Sequence, residues 1–264
     1  MAGRVDNAGN IVTKAEMVAQ VANDLIAELI ERSRRSEGLR DYYDIAVVGY
    51  SGAGVTTPFG SHKPYLSTIQ LNELNPEERT IERQIRLPNG EIRFIRETQR
   101  CWIKPEAVGL TPMYEGLFMV YDIAKRWCAQ QENLNSFPPM IFNITDGEST
   151  DCDYADIMEI SSRIKSIATN DGKALLVNVH IASNCAKSSM LFPSPREIAQ
   201  MGEVAPAALS LFNAASELPS IFMDAVCDIK GTEFRNNYKA MSFNCSISEL
   251  VTILNIGSIS IKRT

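Results

Sequence analysis

Between Thr13 and Ser36 apolar residues return every three or four positions: Ala15, Val18, Ala22, Leu25 and Leu29, with Ala19, Ile26 and Ile30 widening the stripe. That period predicts an amphipathic helix, with Lys14, Glu28, Glu31 and Arg32 off the apolar face. Thr13 and Glu16 have the spacing of a capping box, and Gly38 suits the stop. The pattern then changes. Ile45 to Val48 is a short continuous apolar run ended by Gly49, Gly52 and Gly54, which reads as a strand buried on both faces. A short helix is expected near Tyr65–Leu74. Ile81, Ile85 and Leu87, then Ile92, Phe94 and Ile95, flank Asn89-Gly90 and predict a β-hairpin over Arg83 to Arg96. Its many charges make it a solvated ribbon.

Further along, helical patterns run from Met113 to about Gln130, from Ala155 to about Ala168, and across residues 195–217 with a break near Pro206. They alternate with two buried-strand runs, PPMIFNITDGE and Ala174 to Ala182. Ala240 to Cys245 predicts a last strand and Ser248 to Ile256 a last helix. Strands alternating with helices of crossover length predict an α/β fold: a doubly wound, mostly parallel sheet with helices on both faces. Ile45–Val48, Met140–Ile144 and Leu175–Val179 are its expected strands. With no internal repeat and no linker-like stretch, the expectation is one domain over residues 1–264, with a hairpin insertion at about residues 80–100.

The composition, 45% apolar and 22% charged over 264 residues, is that of a globular chain. Twenty-six Lys plus Arg against thirty-two Asp plus Glu leave a charge of −6. That balance argues against general binding to nucleic acid or to an anionic membrane, both of which need clustered positive charge. No run approaches the ~18 apolar residues of a membrane span, and MAGRVDNAGN lacks the apolar stretch of a signal peptide. The six cysteines form no CxxC pair and the two histidines are His62 and His180, so a zinc site of standard spacing is not expected. Reduced thiols in the cytoplasm are the simplest reading, with the cysteines acting as small buried hydrophobes.

Ligands of open parallel sheets bind beyond the carboxyl ends of the strands. Two segments converge there: GLTPMYEGL (109–117) and NITDGESTDCD (143–153). Thr111 offers a hydroxyl and Asp146 a carboxylate, hard oxygen donors suited to Mg²⁺ or Mn²⁺. The alternative is that Thr111 caps the helix and Asp146 the following loop. GYSGAG (49–54) has neither the second glycine of a nucleophile elbow nor the spacing of a dinucleotide fingerprint, and reads as a strand-ending loop. A hydrolase built at Ser51 would need His62 or His180 within hydrogen-bond reach. His180, inside an apolar strand, reads as a hydrogen-bonded core residue. Asp146, Glu148, Asp151 and Asp153 lack the order of a calcium loop and read as surface acidity. Arg32, Arg34 and Arg35 read as the solvated end of the first helix.

CWIKPEAVGLTPMYEGL, SFPPMIFNITDGESTD, ATNDGKALLVNVHI and LNIGS, in this order, resemble the von Willebrand factor A domain. The nearer resemblance is to stand-alone bacterial members encoded beside tellurite-resistance, kinase and phosphatase genes. With the first helix it covers nearly the whole chain. The resemblance implies a metal-ion-dependent adhesion site. In the family an Asp-x-Ser-x-Ser loop after the first strand, a Thr in a second loop and an Asp in a third hold the ion. Thr111 matches the second position and Asp146 the third. The first loop and strand are absent, because Met1 stands where the family has the Met after that motif. The expectation is a start lying upstream, with the site incomplete in the chain as given. The implied function is non-catalytic: the bound Mg²⁺ or Mn²⁺ takes an Asp or Glu from a protein partner, a kinase or phosphatase of a bacterial signalling or stress system. The alternatives are a hydrolase using the strand-end cleft near Ser51, or a metal-free structural scaffold.

Overall fold

The structure is a computed structural model that describes residues 4–7, 10–52, 54–60, 63–86, 91–106, 108–145, 149–181, 189–200, 206–233 and 236–243. In chain order its main elements are α1 (Lys14–Arg32), β1 (Asp44–Ala46), β2 (Gly49–Ser51), β3 (Gly54–Thr56), β4 (Tyr65–Ser67), α2 (Thr68–Glu73), β5 (Glu77–Arg86), β6 (Ile92–Cys101), α3 (Met113–Cys128), β7 (Met140–Thr145), α4 (Tyr154–Ser166), β8 (Leu175–His180), β9 (Met190–Leu191), α5 (Pro195–Gln200), α6 (Pro206–Ala214), α7 (Met223–Lys230) and β10 (Met241–Phe243). The chain is therefore mixed α/β, and it divides into two compact units, one of residues 2–47 and 56–107, the other of residues 48–55 and 108–264. Among the described residues no helix is long and apolar enough to cross a membrane.

In the first of these units α1 begins as its sequence predicts. The Thr13 hydroxyl accepts from the Glu16 N–H at 3.2 Å, and Glu16 accepts in return from the Thr13 N–H at 2.7 Å. The helix stops at Arg32, before Gly38, where the Ser33 hydroxyl turns back onto the Leu29 carbonyl. Ile26 and Ile30 pack with Leu71 and Trp102, and Ile45, Phe59 and Leu66 lean on that cluster. Polar side chains fasten the base of the β5–β6 ribbon and the segment beyond it to α1. Asn23 exchanges two hydrogen bonds with Ile103, and Gln99 donates to the Gln20 carbonyl and the Asp24 carboxylate.

The expected hairpin is present and longer at its base than predicted. β5 and β6 pair antiparallel from Glu77↔Cys101 to Arg86↔Ile92, and the expected turn at Asn89-Gly90 lies outside the described residues. Phe94 and Ile95 are exposed, as a solvated ribbon requires.

The run Ile45–Val48 is a correction. It is not a strand of the parallel sheet: Asp44–Ala46 pairs antiparallel with Tyr65–Ser67. Asp44 and Ala46 are exposed while Ile45 meets the small core, so only one face is buried. A short apolar run cannot by itself distinguish a strand covered on both faces from one covered on one.

In the other unit the sheet order is β7-β8-β10-β9. β7 and β8 pair parallel through all six residues, Met140↔Leu175 to Thr145↔His180, and β8 pairs parallel with β10. β9 closes the edge antiparallel, making the sheet mixed. Two expected strands, Met140–Ile144 and Leu175–Val179, thus lie in it side by side, and the strand expected at Ala240–Cys245 is seen as Met241–Phe243. The helix expected at Ser248–Ile256 lies outside the described residues, and α7 had no sequence prediction. On one face Leu176, Met241 and Phe243 pack with Met113 and Leu117 of α3, Ile157, Ile160 and Ile164 of α4, and Leu211 of α6. Leu175 through Val179 are all buried, as four apolar residues around a single asparagine predict.

A polar chain crosses this apolar face. The Tyr50 hydroxyl on β2 donates to Asn143 Oδ1 at 2.8 Å, Asn143 Nδ2 donates to Asn178 Oδ1 at 2.9 Å, and Asn178 Nδ2 donates to the Leu211 carbonyl at 2.8 Å. Asn143 and Asn178 are opposite one another in the parallel pair and are 4% and 1% exposed. Buried amides are tolerable only when partnered, and this arrangement partners both.

Candidate functional site

The carboxyl end of β7 leads through residues 146–148 into Ser149–Asp153 and α4. Beside it, the loop Val108–Pro112 leads into α3. These two segments are fastened to one another by reciprocal hydrogen bonds. The Thr111 N–H donates to the Thr150 hydroxyl at 2.9 Å, and the Thr150 N–H donates to the Thr111 carbonyl at 3.1 Å. Thr111 is half-buried, and its carbonyl also accepts from the Met113 N–H at the first turn of α3. Gly109, at φ +66°, supplies the left-handed residue that bends this loop. On the other side, the Gly52 N–H donates to the Val108 carbonyl.

The first turn of α3 has no cap of its own. Pro112 precedes it and provides no side-chain acceptor. The acceptor comes instead from Asp151: Oδ1 takes the Tyr114 N–H at 3.1 Å and Oδ2 the Glu115 N–H at 3.0 Å. The Ser149 hydroxyl adds a bond of 2.8 Å to Oδ1. Burial pushes the Asp151 carboxyl up, but the N–H groups of Glu115 and Tyr114 and the Ser149 hydroxyl outweigh it and hold it below the usual aspartate range. Two residues on, Asp153 caps α4 by accepting from Ala155 and Asp156, with Asp156 reaching back to the Asp153 N–H. The acidic character expected of this loop thus has a use: Asp151 and Asp153 serve two helix starts.

No family model, curated protein or solved structure matches the chain.

Of the two predicted metal-binding residues, Thr111 stands in the fastened loop. Asp146 immediately follows Thr145, the last residue of β7, and lies outside the described residues, as does Glu148. Among the described residues no three His, Cys, Asp or Glu side chains are grouped to hold an ion. The fit to Mg²⁺ or Mn²⁺ therefore rests on donor chemistry: one hydroxyl and one carboxylate are the right kind of oxygen but fall short of six ligands. Asp151 is instead engaged at the start of α3, each of its oxygens accepting an N–H.

The remaining candidates have ordinary surroundings. His180 ends β8 and meets the Phe243 ring edge-on at 6.0 Å; His62 lies outside the described residues. Cys101 and Cys128 are buried, Cys152 and Cys227 half-buried, and all four are free thiols. Burial pushes the thiols of Cys101, Cys128 and Cys152 up, against thiolate chemistry. Arg32 and Arg34 are ion-paired on the surface with Glu28 and Glu31, as a solvated helix end predicts.

Sequence reasoning missed the role of Asp151 and the Asn143–Asn178 pair. The second had a signal, since each asparagine interrupts an otherwise apolar strand, in Ile-Phe-Asn-Ile and Leu-Val-Asn-Val. A polar residue at the same depth in two neighbouring buried strands implies a partner for each.

Proposed function

We propose that the chain is a cytoplasmic, non-catalytic protein-binding module of doubly wound, von Willebrand factor A-like architecture. Thr111 and Asp146 hold Mg²⁺ or Mn²⁺ at the carboxyl end of β7, and an Asp or Glu of a protein partner completes the ion. By the family resemblance, the partner is a kinase or phosphatase of a bacterial signalling or stress system. One observation carries the reading: the reciprocal Thr111–Thr150 hydrogen bonds join the loop bearing the hydroxyl to the loop that follows Asp146. Val108 and Leu110, exposed in the same loop just before Thr111, give a partner apolar surface near the proposed ion. With two protein donors, water fills the other positions and resting affinity is low. A partner's carboxylate then contributes much of the binding, and association depends on the metal.

A metal-free scaffold is the second reading, favoured by the use of Asp151 and Asp153 as helix caps. Titration with Mn²⁺, followed by electron paramagnetic resonance, separates the two. Thr111→Ala and Asp146→Ala should each weaken Mn²⁺ binding by at least the ~10–100-fold typical of outer-shell changes. Equal binding by both variants and the unaltered chain, or no binding by any of them, refutes the adhesion-site reading; the second result leaves the scaffold.

A further inference from the structure

We infer that the outer edge of β7 is a self-association surface. Two copies of this chain pair their β7 strands antiparallel about a two-fold axis at Phe142 and join their four-stranded sheets into one continuous sheet.

The backbone groups of β7 point to this. The strand lies at the end of the sheet, with β8 on one side only. The Leu175 N–H donates to the Pro139 carbonyl and the Ile181 N–H to the Thr145 carbonyl, which fixes the phase of the parallel ladder. Residues 139, 141, 143 and 145 turn their backbone groups to β8, so Met140, Phe142 and Ile144 turn theirs outward. Among the described residues those outward groups meet one partner, the Tyr50 hydroxyl, 3.4 Å from the Ile144 carbonyl. That long bond leaves the carbonyl its second lone pair. Met140, Phe142 and Ile144 are half-buried, where an unpaired N–H or carbonyl is costly.

The two edges of the sheet differ. β9 is two residues long, and Lys230 Nζ donates to its outward Leu191 carbonyl. A short edge strand and a lysine on it are common guards against pairing with another chain. β7 has neither. It runs six residues in unbroken register with β8 and carries no charge and no proline.

A second copy matches this edge group for group. With Phe142 opposite the partner's Phe142, each donates its N–H to the other's carbonyl. Two positions away, Met140 and the partner's Ile144 exchange the same two bonds, as do Ile144 and the partner's Met140. Every outward N–H and carbonyl of both strands is then used. The side chains agree as well. Ile141 packs into the core with α3 and α4, and Asn143 meets Tyr50 on that face. Side chains alternate along a strand, so Met140, Phe142 and Ile144 share the opposite face. There the pairing sets Phe142 against Phe142 and Met140 against Ile144, apolar against apolar, and no like charges meet across the axis.

The test reads mass and amide exchange together. At about 100 µM the unaltered chain should sediment with twice its monomer mass; dilution to about 1 µM should return it to monomer and speed exchange of the Met140, Phe142 and Ile144 amides by at least about fivefold. The Ile141 and Asn143 amides, which face β8, should respond far less. Phe142→Lys and Phe142→Glu each set like charges against one another across the axis, so each should be monomeric, with Ile141 and Asn143 exchange unchanged. An equal mixture of the two should recover the doubled mass. A monomer at the higher concentration would overturn the inference. So would a dimer whose outward amides ignore dilution, or one that survives both substitutions, since its interface then lies elsewhere. Slow exchange of the outward amides in the monomer would overturn it too, because the chain then covers its own edge. If the two variants fail to fold, seen as faster Ile141 and Asn143 exchange, the dilution series on the unaltered chain decides alone.

Discussion

Replacing Asn178 by Ala tests whether the polar chain beneath β7 and β8 is a structural requirement. Asn178 is 1% exposed, accepts from Asn143 and donates to the Leu211 carbonyl. The substitution removes both bonds; the Leu211 oxygen keeps the Ala215 N–H at 3.0 Å, so the buried group left without its partner is Asn143 Nδ2. A stranded buried group costs about 1–3 kcal/mol, so the polar loss is about 1–3 kcal/mol before any cavity contribution. Asn143 Nδ2 has one weak alternative, Met113 Sδ at 4.0 Å, which favours the lower half of that range. Because the chain divides into two compact units, a single melting curve does not isolate this effect. Amide exchange of residues 175–180, followed by mass spectrometry across a urea series, does. A loss of ~2 kcal/mol appears as roughly thirtyfold faster exchange, at tenfold per ~1.4 kcal/mol. Asn178→Leu is the control: it refills the volume but offers Asn143 Nδ2 no acceptor, so it should recover little. A loss below about 1 kcal/mol for Asn178→Ala, or full recovery with Leu, would refute the polar account and leave packing as the explanation.

Gly116→Ala should destabilise the same unit by about 1–3 kcal/mol, because an added Cβ would lie 2.7 Å from the Tyr50 ring, which its hydroxyl bonds hold in place; urea unfolding followed through the same peptide reads it. Replacing residues 84–94 by Asn-Gly, which joins the paired Arg83 and Ile95, should shift the thermal midpoint by less than about 3 °C, since the excised tip carries the exposed Phe94. The Asp151 carboxyl is held below the usual aspartate range in the folded chain, so its contribution is fully present above about pH 4 and is lost as pH falls through the folded value. Exchange at the Tyr114 and Glu115 amides, corrected for intrinsic rates, should accelerate in that acid window, and Asp151→Asn should abolish the pH dependence.

What could be read from the sequence is what neighbouring residues decide. Thr13 and Glu16 announce a helix start because their bonds span three residues, and the short apolar runs of β7 and β8, too short for crossover helices, announce strands, of which β8 is buried along nearly its whole length and β7 is half-buried except at Asn143 and Thr145. The burial of Ile45–Val48 depends on distant residues: Asp44–Ala46 pairs edge to edge with Tyr65–Ser67, and the core of Ile26, Ile30, Leu71 and Trp102 covers only the face that carries Ile45. The place of Thr111 in the loop before α3 is legible, because it is local. The role of Asp151 was illegible, because its partners lie on another loop and become visible only once both helices are in place.

The facing amides of Asn143 and Asn178 also bear on how the sheet finds its alignment. Met-Ile-Phe-Asn-Ile-Thr and Leu-Leu-Val-Asn-Val-His are nearly uniform apolar ribbons, and sliding one along the other by two residues keeps every side chain on its proper face. Hydrophobic burial alone scarcely penalises such a misfolded pairing. The slide does move the two amides about 6.6 Å apart, at ~3.3 Å per residue, and strands each without the other in an apolar layer. The asparagines thus act as a key cut into otherwise interchangeable strands, rejecting near-miss alignments during folding that the surrounding aliphatic residues would accept.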